Sequence, residues 1–121
     1  MKSSHIDARM TDAVLKVIDL LVANDIRGLV RLAGGTRFST EEDILGLERE
    51  LGLYGCTLVR PPPDAFKHMS VIEVANAYPR KWAITMPLWT SEEGLSDLSL
   101  ELTLIARDDG FEIELDNVHV L

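Results

Sequence analysis

Cysteine is almost absent: Cys56 stands alone among 121 residues. No disulfide can form within the chain, and a cysteine-based metal site is excluded. Positive charge is scarce too. Twelve Lys and Arg face 20 Asp and Glu, for a formal net charge of −8. Nucleic acid is therefore not an expected partner, because its phosphates need Lys and Arg to neutralise them. No apolar run reaches the roughly 18 residues that suggest a membrane span, so no membrane partner is expected either. The opening residues MKSSHIDARM lack the apolar stretch of a signal peptide. A cytoplasmic location is the expectation. Catalytic signatures are missing as well: there is no nucleophile elbow, Walker motif or zinc signature. His5 and His68 have no metal-like spacing to another ligand. No cofactor and no metal are expected.

What is present describes one ordinary folded domain spanning residues 1–121. Apolar residues make up 46% of the chain, too many for a disordered one. The charge is unevenly spread. Residues 1–60 carry eight Lys and Arg against nine Asp and Glu, whereas residues 61–121 carry four against eleven. Periodicity changes at the same border, marked by Pro61-Pro62-Pro63, a run that breaks regular structure.

The first half has helical spacing. Ile6, Met10, Val14, Val17, Ile18 and Leu21 recur at threes and fours and share one face. Asn24-Asp25 interrupts the pattern. A short second helix follows, with Ile26, Leu29 and Val30 inward and Gly34-Gly35 as its stop. A third is expected to start at Ser39, where Ser39 and Glu42 fit a capping box. Its buried stripe would be Ile44, Leu47 and Leu51, and Gly52 and Gly55 would end it.

The second half has strand spacing. Short strands are expected at 56–60 and 71–77. Trp82, Ile84, Met86 and Leu88 alternate with Ala83 and Thr85. Pro87 lies near the end of that strand, so an edge or a bulge is expected there. Leu98, Leu100, Leu102 and Leu104 face one way, with Ser99, Glu101 and Thr103 opposite. Phe111, Ile113 and Leu115 then alternate with Glu112, Glu114 and Asp116. Asp109-Gly110 suits a two-residue hairpin loop. That loop sets Leu104 against Leu115 and Arg107 against Glu112, matching apolar faces and opposing charges. The same register would bury His119 and expose Val118 and Val120. A bulge at Asp116-Asn117 reverses this and is the preferred reading. The fold class is therefore α+β, with N-terminal helices packed on one face of a curved antiparallel sheet.

The segment from Pro87 to Leu98 holds most of the candidate chemistry. Glu92, Glu93 and Asp97 offer the oxygen that a hard cation takes, but their spacing does not match an EF-hand loop. The simpler reading is a solvated loop in which Thr90 or Ser91 caps a turn and Ser96 or Asp97 caps the returning backbone. Strand parity points Trp89 away from the core, where it would anchor a ligand or a protein partner. His119 would serve as a general base if it met Asp97 or Glu92 in a pocket. Cys56, between a glycine and an apolar strand, reads as a buried, inert thiol.

Several of these residues carry a resemblance. Trp82, Pro87-Leu88-Trp89-Thr90, Glu93-Gly94, Ser96-Asp97-Leu98, Asp109-Gly110 and the ending Asp116-Asn117-Val118-His119-Val120-Leu121 resemble a bacterial family of unknown function. The likeness is best over residues 80–121. The order of elements is similar to the cystatin-like fold and to the cone fold of the nuclear-transport-factor-like superfamily, in which a curved sheet wraps a long helix. That resemblance implies no activity and no residue roles, because cone folds host enzymes and binding modules alike.

Two classes of function follow. The leading expectation is a non-enzymatic module that binds a protein partner through an acidic surface made by Glu101, Glu112 and Glu114 with the neighbouring loop. The binding residues would be Trp89, Thr90, Glu92, Glu93, Asp97 and His119. The alternative is a small-ligand-binding protein or enzyme with a pocket near Trp89, Asp97 and His119. It requires His119 inside. A homodimer is a third expectation, through a less acidic edge near Trp89 and Pro87.

Overall fold

The computed structural model describes residues 7–33, 38 and 40–120. Ile6, Gly34-Gly35 and Ser39 lie outside them. Three helices come first: α1 (Ala8–Val22), α2 (Ile26–Ala33) and α3 (Glu41–Tyr54). Five strands follow: β1 (Leu58–Val59), β2 (Ser70–Glu73), β3 (Lys81–Thr90), β4 (Gly94–Arg107) and β5 (Gly110–Val120). A 3-10 helix at Pro63–His68 joins β1 to β2. This is the α+β order expected, helices before a curved antiparallel sheet.

Each helix begins where a short polar side chain satisfies free backbone donors. The Asp7 carboxylate accepts the Met10 N–H at 2.9 Å and starts α1. Asn24 takes a left-handed φ of 58°, which asparagine tolerates, and turns the chain. The Asp25 carboxylate then accepts the Gly28 N–H at 2.9 Å, at the start of α2. Helix α3 corrects the capping expectation by one residue. Thr40 is the cap, not Ser39. Its hydroxyl accepts the Asp43 N–H at 3.1 Å, and Asp43 accepts the Thr40 N–H at 3.2 Å. Threonine can fill the same role as serine, and Asp43 reaches back as a glutamate would. Gly52 does not end α3. The helix runs on to Tyr54, and Gly55 closes it with a left-handed φ of 71°.

Burial follows the helical stripe in α1, where Met10, Val14, Val17, Ile18 and Leu21 are buried. Helix α3 is attached more lightly. Only Leu47 is fully buried, with Ile44 and Leu51 partly so.

The sheet runs β1–β3–β4–β5, with β2 also pairing β3; every pair is antiparallel. Strand β3 is thus central. On its outer side β2 meets residues 82–85 and β1 meets residues 89–90. Pro87 falls between those two partners, and the β3–β4 register shifts just after it. The expected irregularity is a bulge on a central strand rather than an edge. Trp82, Ile84, Met86 and Leu88 on β3, and Leu98, Leu100, Leu102 and Leu104 on β4, are all buried against the helices. The alternation that defines the layers is therefore present in the fold.

The β4–β5 hairpin differs from expectation by two residues. Arg107 pairs with Gly110, so the loop residues are Asp108 and Asp109. Gly110 alone takes a positive φ, 145°. Both aspartates avoid the left-handed strain that an Asp109-Gly110 loop would impose on Asp109. A two-residue slip preserves parity, so every side chain keeps its expected face. Leu104 now opposes Ile113 instead of Leu115. The Arg107–Glu112 ion pair forms across a diagonal, with Nη2 at 2.6 Å from Oε1.

The second irregularity lies where it was expected. Leu102 pairs with Leu115 and Glu101 with Asn117, leaving Asp116 as the extra residue. The Thr103 hydroxyl donates to Asp116 Oδ2 at 2.7 Å and holds the bulge. Parity reverses beyond it. Val118 is buried and His119 turns to the outer face.

Candidate functional site

The Pro87–Leu98 segment is not a loop. Strand β3 continues to Thr90, three residues turn, and β4 begins at Gly94. Thr90 is buried, and its hydroxyl accepts the Glu93 N–H at 3.0 Å. Ser96 bridges the irregularity beside Pro87. Its hydroxyl donates to the Leu88 carbonyl at 2.8 Å and accepts the Leu98 N–H at 3.1 Å.

The acids at the tip of this hairpin hold the segment between α3 and β1. Glu92 Oε1 accepts the Thr57 N–H at 2.9 Å, and the Ser91 N–H donates back to the Thr57 carbonyl at 3.0 Å. The Thr57 N–H holds the Glu92 carboxyl below the usual carboxylate range. Glu93 Oε1 accepts the Tyr54 hydroxyl at 3.1 Å. Cys56 lies within this clasp, half-buried. Burial first, then the charges of Glu92 and Glu93, push its thiol up and away from a reactive thiolate. Among the described residues there is no group of three His, Cys, Asp or Glu that could hold a metal ion.

Thr90, Glu92 and Glu93 thus have structural work in the hairpin. Trp89, Asp97 and His119 share the other environment, the outer face of the sheet. Trp89 sits half-buried beside His68, with ring centroids 6.3 Å apart. Asp97 is exposed. His119 lies opposite Ser99 across the ladder. Its Nε2 is 3.2 Å from Oε2 of Glu101, a close contact without a hydrogen bond. The expected His119–Asp97 meeting is replaced by a His119–Glu101 one. Ser99 is therefore the residue that sequence reasoning missed, and Glu101, expected on the acidic surface, was missed as the neighbour of His119. The signal was the bulge itself, which once placed makes 99 and 101 the nearest outward positions on β4.

His119 also lines a cavity of about 380 Å³ with Leu51, Tyr54, Leu98 and Val118. That hollow lies between α3 and the end of the sheet.

None of the described helices α1 to α3 packs on the outer face; their buried residues join the core on the other side. Residues 18–121 match the family described as a domain of unknown function, DUF7668. The chain belongs to that family. No curated protein and no solved structure matches it. The DUF7668 region begins inside α1 and takes in α2, α3 and every strand. It therefore contains the hairpin clasp, both bulges and the whole outer face. No helix among the described residues is long and apolar enough to cross a membrane.

Proposed function

We propose that this DUF7668 domain is a non-enzymatic module that binds a protein partner through the acidic outer face of its sheet. The supporting observation is the charge on that face, which none of α1 to α3 covers. Asp97, Glu101, Glu112, Glu114 and Asp116 lie on β4 and β5, against Lys81 and Arg107, and Arg107 is already paired with Glu112. Such a field speeds encounter with a basic partner and opposes acidic ones. A bacterial immunity protein that neutralises a basic toxin has this character. The outward position of His119 favours binding over acid–base chemistry. The base needed a place in the interior, and the Asp116 bulge turns the imidazole away from it.

The test is capture from the native host at low and high salt, with charge-reversed controls. A partner held at low salt and released at high salt is expected. It should not be held by Glu112→Lys/Glu114→Lys, yet should be held by Glu42→Lys/Glu50→Lys on α3. No partner at low salt, or one indifferent to reversal on β5, overturns the reading.

A further inference from the structure

The outer face has two halves of different chemistry. On β2, β3 and the start of β4 it is mainly apolar: Ile72, Ala83, Pro87 and Trp89 point outward, with Thr85 between them and Lys81 at the far end of β3, and Leu95 is 50% exposed. On the rest of β4 and on β5 it is acidic, from Asp97 to Glu114, around a buried Ile105. The two halves meet along β4. At that seam Ser99, only 1% exposed, has a hydroxyl with no hydrogen-bond partner among the described residues. It is flanked by Glu101 on its own strand and by His119 across the ladder. Buried hydroxyls are nearly always bonded, so Ser99 marks an unsatisfied point under the seam, beside the Glu101 carboxylate.

From this division we infer that the face receives an amphipathic basic helix of the partner, laid along β4. The inference rests on the protein-binding reading above and adds the kind of partner. Dimensions carry it. Neighbouring strands are about 4.8 Å apart, so β3 and β5 lie roughly 10 Å apart on either side of β4. That matches the roughly 10 Å width of a helix with its side chains. A helix on β4 would set one flank of apolar side chains on Pro87, Trp89 and Ala83. Its other flank of Lys and Arg would meet Glu101, Glu114 and Glu112. The apolar flank supplies burial and the basic flank supplies register and choice of partner.

Three synthetic peptides test this on the full chain, by fluorescence anisotropy. One carries leucine and lysine at helical spacing. The second replaces each leucine with serine, and the third replaces each lysine with glutamate. The first should bind at least about tenfold more tightly than the second, and the third should not bind. Ala83→Glu places a charge on the apolar half at an exposed position, where the fold tolerates it. It should weaken the leucine–lysine peptide about tenfold, by breaking the apolar contact, and should not weaken the serine–lysine peptide, whose lysines the added carboxylate attracts. Glu101→Gln/Glu114→Gln should weaken both basic peptides. Equal binding of the two basic peptides, or indifference to Ala83→Glu, overturns the amphipathic-helix inference and leaves the acidic-face reading standing. Failure of both basic peptides to bind, or binding that ignores the loss of Glu101 and Glu114, overturns both.

Discussion

Ser99 and Glu92 show how differently two polar side chains are used. The Ser99 hydroxyl is buried without a partner among the described residues, an arrangement that costs stability. Ser99→Ala should therefore raise stability, by about 1 kcal/mol, because it removes an unsatisfied group and leaves little void. Urea unfolding measures this, and a loss of stability would mean that the hydroxyl has a partner after all. Glu92 works the other way. Its carboxylate accepts the Thr57 N–H, and the folded chain holds its pKa below the ordinary value of 4.5. The charged form is thus favoured by folding. Its contribution is fully present above the unfolded pKa and fades as pH falls through the lower, folded value. The stability difference between the wild type and Glu92→Gln should be largest near neutral pH and shrink below about pH 4.5. Asp7 is lowered likewise by the Met10 N–H, and Glu41 and Glu73 by hydrogen bonds from the Arg27 and Arg80 guanidinium groups, so all three should add to the acid sensitivity. A difference that persists unchanged at acid pH would remove Glu92 from this account.

At the scale of elements, much was legible because period and burial agree. Trp82 to Leu88 and Leu98 to Leu104 alternate cleanly, and only one face of that sheet can be covered by α1 to α3. The Asp116 bulge was legible for the same reason: Val118 on a polar face would have been costly. What was not legible were choices between near-equivalent chemistry. Ser39 with Glu42, and Thr40 with Asp43, both fit the capping spacing, and the reciprocal hydrogen bonds form at Thr40 and Asp43. Asp109-Gly110 resembles a hairpin loop, yet the strain at Asp109 moves the loop back by one residue and the register by two. The apparent Pro87–Leu98 loop closes into strands because Ser96 supplies the bonds that Pro87 and the bulge interrupt. His119 was readable as outward, but Glu101 as its neighbour followed only from the shifted register. Two substitutions check these elements. Thr40→Ala should cost about 1 kcal/mol while Thr40→Ser retains the cap. Leu100→Ala, in the layer between sheet and helices, should cost about 2–5 kcal/mol. A neutral Thr40→Ala would return the cap to another residue, and a neutral Leu100→Ala would contradict the buried face.

On the scale of the whole molecule, sheet edges and net charge decide how copies meet. Strand β5 pairs on one side only and spans 11 residues, a length that invites a second chain to add a strand. Two features oppose this. Asp116 bulges out of the ladder, and Glu112, Glu114 and Asp116 place three carboxylates along the edge strand. In an antiparallel pair of β5 strands these acids would face one another, and like charges directly opposite are destabilising. The other edge is made of β1 and β2, which are two and four residues long and offer little to pair with. Outer faces of two copies would also repel, since the carboxylates outnumber the cations there. The wild-type chain should therefore scatter light as one chain at low salt. Glu112→Thr/Glu114→Thr removes two of the three carboxylates and raises strand propensity on the same edge. It should self-associate at concentrations where the wild type does not. A wild-type dimer under these conditions would place the contact elsewhere, with the apolar half around Trp89 and Leu95 as the surface to substitute next.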